Sequence, residues 1–379
     1  MKKILVVHNF YRNKGGEDTN INEELEFLGK NFEVSFYCKN NSKKLTFIDL
    51  ISFVTRFNFK SNSDFTKKLN EVEPDLVYIH NTWFKINLGI FKILKKRKIN
   101  TVLKIHNFRY ECSLHFFASK HLKNQNTCSQ CGFTDIRYRF FNKYFKESYM
   151  KSFALYLYSK KYYKILKHFP IKIIAINKFH RSQLIKYGIS AEKIRVIPNP
   201  INFENYKQSD KENFVIYAGR ISEEKGVVEI IHAWNKSNLK DHKLFIIGDG
   251  EIKKNLEKKY SSDYVVFLGQ LTIKEVLSLM SKAKAVVTAT KLFEGQPRIL
   301  CEASSLGTIS IYPSFGGMDE FFPENYSYSF EQFNYNDLVD KFNLLNNSDL
   351  TTSSQQNVFQ NIIKVLDKDT ITNQFAKLL

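Results

Sequence analysis

The chain is short of cysteine, short of acidic residues and without a long apolar run, and each shortage narrows what it can be. Five cysteines in 379 residues, an odd number with no secretory leader ahead of them, argue for free thiols in a reducing cytosol. No apolar run reaches the roughly 18–20 residues that cross a bilayer. The start, Met1-Lys2-Lys3-Ile4-Leu5-Val6-Val7-His8, has too short an apolar part for a signal peptide and reads as a first buried strand. There is no short internal repeat. Acidic residues number 38 against 57 Lys and Arg, a formal charge of +19, yet no recognised nucleic-acid motif accompanies that charge.

With 43% hydrophobic residues the chain can build a core, and its length exceeds what one core usually serves. Strand-like and helix-like segments alternate, the pattern of doubly wound parallel sheets in an α/β protein. In the first half, strands are expected at Ile4 to Val7, Val34 to Tyr37, Leu76 to Ile79, Val102 to Ile105, Ile173 to Ile176 and Arg195 to Ile197. The second half repeats the scheme at Phe214 to Tyr217, Leu244 to Ile247, Val265 to Leu268, Ala285 to Thr288 and Ile309 to Tyr312. Pro198-Asn199-Pro200 and the polar stretch after it mark the boundary. A first domain over 1–200, a linker over 201–213 and a second domain over 214–355 follow, with a last helical segment over 356–379.

Phe293-Glu294-Gly295-Gln296-Pro297-Arg298-Ile299-Leu300-Cys301-Glu302-Ala303 is the most informative stretch. Pro297 suits a first helical position and Gly295 a tight loop, so Glu294 should lie just outside a helix and Glu302 about a turn inside it. The unpaired N–H groups between them, with the helix dipole, form an anion site suited to phosphate. Two carboxylates beside a phosphate make sense if each faces neutral vicinal hydroxyls, which points to a nucleotide sugar. Upstream, Ala218-Gly219-Arg220-Ile221-Ser222-Glu223-Glu224-Lys225-Gly226 joins a strand to a helix start, and Arg220 and Lys225 can supply the positive charge for a diphosphate.

These segments, with the Gly248-Asp249-Gly250 turn, resemble those of the retaining glycosyltransferases of family 4, the group 1 glycosyltransferases of polysaccharide biosynthesis, over nearly the whole chain. The resemblance implies a GT-B fold, two Rossmann-like doubly wound domains facing a central cleft, with a C-terminal helix packing back on the first domain. It implies that Arg220 and Lys225 bind the donor pyrophosphate, that Glu302 binds the ribose and that Glu294 contacts the transferred sugar. Gly219, Gly248, Gly295, Gln296, Pro297 and Arg298 complete the expected donor site. Gln296-Pro297 departs from the aromatic or small residue followed by Gly or Pro that many relatives carry. The resemblance also implies that His106, ending the fourth strand, contacts the transferred sugar at the cleft mouth, and that Gly15 and Gly16 lie near donor phosphate or acceptor. By the residues alone, a strand-end packing histidine and a plain glycine turn are the preferred readings.

Other features have bland and sharp readings. His80, ending the third strand, is a weaker candidate with no assigned role, and Lys104 is expected to be solvated. The segment from Arg137 to His168, basic and interleaved with Tyr and Phe, reads as a helix with a solvated basic face or, preferred here, as a dock for an anionic membrane. Cys112, Cys128 and Cys131, with His115 or His121, have zinc-ligand types and spacing, but a structural or redox-sensitive cluster is the preferred reading, and no metal is expected in catalysis. Cys301 and Cys38 are expected to pack. Gly316 and Gly317 follow the last expected core strand and allow a backbone approach to donor or leaving group.

The function expected from all this is transfer of a sugar, hexosyl or N-acetylhexosaminyl, from a nucleoside-diphosphate sugar to a hydroxyl of a glycan, lipid-linked by preference, with retention. The setting would be capsule, O-antigen or exopolysaccharide synthesis, on the inner face of the cytoplasmic membrane as a peripheral protein. No cofactor and no nucleic acid are required. No dedicated nucleophile is evident, although Glu294 could serve as one. The rivals are a GT-B nucleotide-sugar epimerase, a basic nucleic-acid-binding protein and a noncatalytic scaffold.

Overall fold

The computed structural model describes residues 1–11, 16–41, 51–52, 55, 58–114, 117, 128, 145, 148–203 and 208–379; at 16, 17, 19, 109 and 112 it describes the backbone only. The chain divides into two compact units. The first comprises the described residues of Met1–Asn126, Thr134–Pro200 and Lys368–Leu379, and the second those of Ile201–Asp367 with Cys128.

In the first unit the strands are β1 (Lys3–Phe10), β2 (Glu33–Asn40), β3 (Leu76–Ile79), β4 (Thr101–Ile105), β5 (Lys172–Ala175) and β6 (Ile194–Val196). Helices α1 (Gly16–Gly29), α2 (Phe59–Val72), α3 (Gly89–Arg97), the short α4 (Arg109–Cys112), α5 (Tyr149–His168) and α6 (Lys178–Lys186) connect them. The sheet is parallel in the order β2-β1-β3-β4-β5-β6. The strand order reverses beside β1, so its crevice opens past the carboxyl ends of β1 and β3. Val6 registers with Tyr78, and Tyr78 with Val102. On the face covered by α1 the rows therefore run Ile4 and Leu76, then Val6, Tyr78 and Val102, then the rim.

The second unit holds β7 (Glu212–Ala218), β8 (Lys243–Ile247), β9 (Val265–Gly269), β10 (Ala283–Val287), β11 (Ile309–Ser314) and β12 (Ser329–Glu331). Its helices are α7 (Val227–Lys236), α8 (Lys253–Tyr260), α9 (Ile273–Lys282), α10 (Arg298–Ser305), α11 (Tyr335–Asn343) and α12 (Ser348–Val365). The order β12-β11-β10-β7-β8-β9 reads 3-2-1-4-5-6 from the other edge, the dinucleotide-binding arrangement, and its reversal lies between β7 and β10. Each expected strand forms here within a residue or two. The edge strand β12 was not anticipated, so β11 is not the last strand. β7 begins at Glu212, inside the stretch read as linker.

The C-terminal segment is not one helix. It breaks at Leu366 and Asp367, leaving α12 in the second unit, while α13 (Lys368–Ala376) belongs to the first. Phe375 of α13 meets Tyr78 edge-on at 4.9 Å between ring centroids and tilts against Phe32 at 5.9 Å. Ile371 and Leu378 join the same core as Ile4 and Ile21. The Leu378 carbonyl accepts from Asn100 and from Lys172 Nζ. Burial of an aromatic and two aliphatic side chains, at about 1.5–3 kcal/mol each, is what fastens this segment.

Candidate active site

In the second unit, the loops after β7, β8 and β10 converge at the point where strand order reverses. Gly226 lies in the left-handed region (φ 71°), and a Cβ there would stand 2.1 Å from the Ala289 carbonyl oxygen. Its lack of a side chain lets the β7 loop press against the β10 loop, and Lys291 N–H donates to the Glu224 carbonyl at 2.9 Å. A Cβ on Gly248 would stand 2.0 Å from the Gly219 carbonyl oxygen, so glycine also lets the β8 loop abut the β7 loop. On this scaffold Lys225 Nζ donates to Glu294 Oε1 at 2.6 Å, and Thr290 Oγ1 reaches the same oxygen at 3.3 Å. Both partners are about a quarter exposed, 28% and 27% for their side chains. Arg220 is exposed, and its carbonyl accepts from Tyr217 Oη at 2.6 Å.

Glu302 is buried on α10 and takes Arg298 Nε on Oε1 at 2.8 Å. Each of the two carboxylates is held by a cation. That arrangement removes the repulsion expected of two carboxylates near a phosphate. Pro297 occupies the cap position before α10, one residue ahead of the expected first turn. Neither α7 nor α10 has a side-chain hydrogen bond capping its start, so the positive dipole ends of two helices meet at this rim. Phe293 and Phe315 stack at 4.7 Å and Gly316 (φ 74°) closes against them, which steadies the Glu294 loop. Cys301 is buried, and burial followed by the neighbouring Glu302 pushes its thiol well up. It is a packing residue.

The first unit carries a second polar cluster, at the carboxyl ends of β1, β3 and β4. His8, His80 and His106 stand there, with Lys104 one step inside. Lys104 is fully buried rather than solvated: its Nζ meets Glu24 Oε1 of α1 at 2.9 Å, and Tyr78 Oη donates to the same oxygen at 2.5 Å. Burial lowers Lys104, and Glu24 opposes that; breaking such a pair by removing one partner costs about 3–5 kcal/mol. His80 Nδ1 lies 2.9 Å from His106 Nε2 with the rings stacked at 5.1 Å. His8 Nε2 lies 2.9 Å from Asp18 Oδ1. Burial first, then neighbouring cationic groups, hold His80 and His106 well below the usual imidazole range.

Two family models match this chain: Glycosyltransferase Family 4 over residues 28–205 and Glycosyl transferases group 1 over 199–364. The chain belongs to the group 1, family 4 glycosyltransferases. Among curated proteins, it is 28% identical over 162 residues to the GalNAc-alpha-(1->4)-GalNAc-alpha-(1->3)-diNAcBac-PP-undecaprenol alpha-1,4-N-acetyl-D-galactosaminyltransferase of Campylobacter jejuni, covering 40% of this chain and 44% of that protein. It is 24% identical over 143 residues to the amylovoran biosynthesis glycosyltransferase AmsD of Erwinia amylovora, covering 35% and 40%. These alignments span under half of either relative. Among solved structures, Anabaena HepE in complex with UDP-glucose matches at a TM-score of 0.71 and 15% identity, over 100% of this chain and 99% of that one. The fold of this glycosyltransferase is therefore GT-B.

Several expected site residues are placed by the glycosyltransferase structure and others are not. Arg220, Lys225 and Glu294, with Gly219, Gly248, Gly295 and Gln296, lie on the second unit's rim loops, and Pro297, Arg298 and Glu302 open α10. His106 lies in the first unit. Gly16 is the first residue of α1, while Gly15 falls outside the described residues, as do His115, His121, Cys131 and the Cys112 side chain. Cys128 is buried and not in a disulfide. Among the described residues no group of three or more His, Cys, Asp or Glu could hold a metal ion. Cys38, expected to pack, is exposed on β2. Glu24, Asp18 and Tyr78 were missed. For the two acids the only sequence signal is their position on α1, three residues to either side of Ile21, and Tyr78 lay unremarked inside an expected strand.

One further buried group has a measurable consequence. His180, on α6, is fully buried against Phe108 (4.5 Å) and Tyr110 (5.8 Å, near-parallel), neither ring nitrogen has a hydrogen-bond partner, and burial lowers it from 6.5 to about 3. The unfolded chain binds a proton near pH 6.5 that the folded chain refuses until about 3. Stability is therefore full above about 6.5 and lost as pH falls, by about 1.4 kcal/mol per pH unit inside that window. His8, His80 and His106 shift in the same direction. Melting curves from pH 7.5 to 4.5 should fall steeply for the wild type and measurably less for His180→Leu; equal slopes would contradict this account.

Proposed function

We propose that this glycosyltransferase moves a sugar from a nucleoside-diphosphate sugar to a hydroxyl of a lipid-linked glycan, with retention, in surface-polysaccharide synthesis. The observation that carries the reading is the convergence of Lys225, Glu294, Arg298 and Glu302 on the second unit's strand-order reversal, beside two uncapped helix starts. Arg220 and Lys225 are the cations for the diphosphate, together with the positive dipole ends of those two helices. As the glycosidic C–O bond breaks, negative charge grows on the leaving phosphate, and preorganised donors act on it most strongly at that moment. Glu302 is assigned to the ribose hydroxyls and Glu294 to hydroxyls of the transferred sugar. His106 is assigned to a sugar hydroxyl in the first unit. The leaving phosphate oxygen takes the acceptor proton on the same face, so no separate nucleophile is needed.

The names of the relatives support the setting. The Campylobacter relative is named for transfer to an undecaprenyl-diphosphate glycan and the Erwinia relative for amylovoran biosynthesis. HepE is solved with UDP-glucose. An N-acetylhexosamine or hexose donor and a polyprenyl-linked acceptor are proposed on that basis. Among the described residues no helix is long and apolar enough to cross a membrane. Attachment to the inner face of an anionic membrane is proposed through α5, which exposes Tyr149, Met150 and Phe153 near its start beside Lys151. Basic side chains at such a surface add about 1 kcal/mol each.

The test is a panel of nucleoside-diphosphate sugars, with thermal shift and released nucleoside diphosphate measured with and without polyprenyl-linked glycan acceptors, for wild type and Glu294→Gln. One donor should stabilise the protein, and its turnover should require both acceptor and Glu294. Consumption of donor without acceptor, giving an epimeric sugar, would replace transfer by epimerisation.

A further inference from the structure

The rim of the first unit contains more chemistry than one histidine contacting a sugar requires. Within the group His8, Glu24, His80 and His106, four polar atoms are buried without a hydrogen-bond partner: His8 Nδ1, Glu24 Oε2, His80 Nε2 and His106 Nδ1. Buried polar atoms are nearly always paired, so an unpaired imidazole nitrogen at the carboxyl end of a parallel strand needs an explanation. The hydrogen bonds already made limit what it can be.

A bond between two neutral imidazoles carries one proton. Burial keeps both His80 and His106 from charging. In the contact between His80 Nδ1 and His106 Nε2 at 2.9 Å, the proton therefore sits on one nitrogen and the other accepts. Glu24 decides which. Its Oε1 already takes Lys104 and Tyr78, and its Oε2 stands 3.9 Å from His80 Nδ1. A carboxylate oxygen so near favours N–H over a lone pair on that nitrogen. With the proton on His80 Nδ1, His106 Nε2 is the acceptor, and the remaining proton of His106 must be on Nδ1. That is the nitrogen without a partner.

We propose that Glu24 and Lys104 are positioning residues that act through His80: they fix His106 in its Nδ1–H form, so that it donates a hydrogen bond to a hydroxyl oxygen of the sugar substrate. Lys104 neutralises Glu24 and, with Tyr78, pins one oxygen so that the other faces His80. The site takes a neutral oxygen acceptor and not a cation, since His106 presents N–H rather than a lone pair. His8 is locked separately: Asp18 accepts from its Nε2–H, which leaves Nδ1 as a lone pair at the same rim. A donor on His106 and an acceptor on His8 are the two complements of a hydroxyl group. This inference rests on the assignment of His106 to a sugar hydroxyl made above.

The experiment combines nitrogen-15 NMR of the histidine rings with steady-state transfer kinetics. In the wild type, His106 is expected to show a protonated Nδ1 and an unprotonated Nε2 across pH 6.5–8. Glu24→Gln, which keeps shape but removes the charge, should mix or reverse that tautomer and lower kcat about tenfold, with a smaller change in KM, the size of one hydrogen bond made in the transition state. Because Lys104 would then be buried without its partner, the paired variant Glu24→Gln with Lys104→Met is measured alongside; it removes both charges, should fold, and should show the same tautomer change and loss. His106→Gln, whose amide can donate in place of the ring, should recover more activity than His106→Ala. An Nε2–H His106 in an active wild type, or a paired variant with wild-type tautomer and kcat, would overturn the relay. Absence of nucleotide release with every donor would instead overturn the transferase reading.

Discussion

Lys225→Ala is expected to reduce kcat by about 10²–10³-fold with little change in melting temperature. The two halves of that expectation come from different physics. Structurally, the Lys225–Glu294 pair is about a quarter exposed at both ends, and pairs with that much water contribute at most about 1 kcal/mol to stability. Glu294 also retains Thr290 Oγ1, so its carboxylate is not stranded. Catalytically, the same ammonium is assigned to the leaving diphosphate, where charge appears only as the C–O bond breaks, and loss of one preorganised donor at such a site costs two to three decades. Lys225→Arg keeps the charge but not the compact three-donor head and should fall between. The measurement is nucleoside-diphosphate release at saturating donor, with melting curves in parallel. A loss under about fivefold, or one matched by unfolding, would remove Lys225 from the chemistry.

Gly226→Val should be among the most damaging single changes in the second unit. Its φ of 71° alone costs an L residue about 1–2 kcal/mol. The added Cβ would also stand 2.1 Å from the Ala289 carbonyl oxygen, which is backbone and cannot rotate away. Relief requires parting the β7 and β10 loops, losing the Lys291 N–H to Glu224 bond and moving Lys225, the adjacent residue, off Glu294. A destabilisation of about 3 kcal/mol or more is expected, beyond the range of ordinary surface substitutions, and donor-induced thermal stabilisation should disappear. Gly188→Val is the control: its φ is 78°, yet a Cβ would meet only Lys167 Nζ at 3.6 Å and Tyr163 Oη at 3.7 Å. It should show mainly the backbone penalty. Equal effects at the two glycines would mean that the close approach to Ala289 is unimportant.

Where the sequence was easy to read, the signal was local. Parallel strands covered on both faces are short continuous apolar runs, and stretches such as Phe214-Val215-Ile216-Tyr217 stand out from the polar segments between them. β12 has three residues, Ser329, Phe330 and Glu331, and a run that short has no period to detect. Lys104 was misread for a related reason. Its neighbours are buried on both faces, so alternation did not signal a solvent side, and the acid that makes its burial tolerable is 80 positions away on another element. The break at Leu366 and Asp367 was missed because apolar spacing continues through it in both helices.

By itself, then, the sequence determined the class of fold, the positions of the strands other than β12 and the two rim segments that carry Arg220, Lys225, Glu294 and Glu302, because apolar runs, glycines and helix-start residues act over a few neighbours. Only the tertiary structure decided which groups pair. Lys225 finds Glu294 across 69 residues, Glu24 meets Lys104 across 80, and His80 meets His106 across 26. Strand order brings these groups together, and strand order is set by which buried faces pack best across the whole unit, a sum that no local window contains.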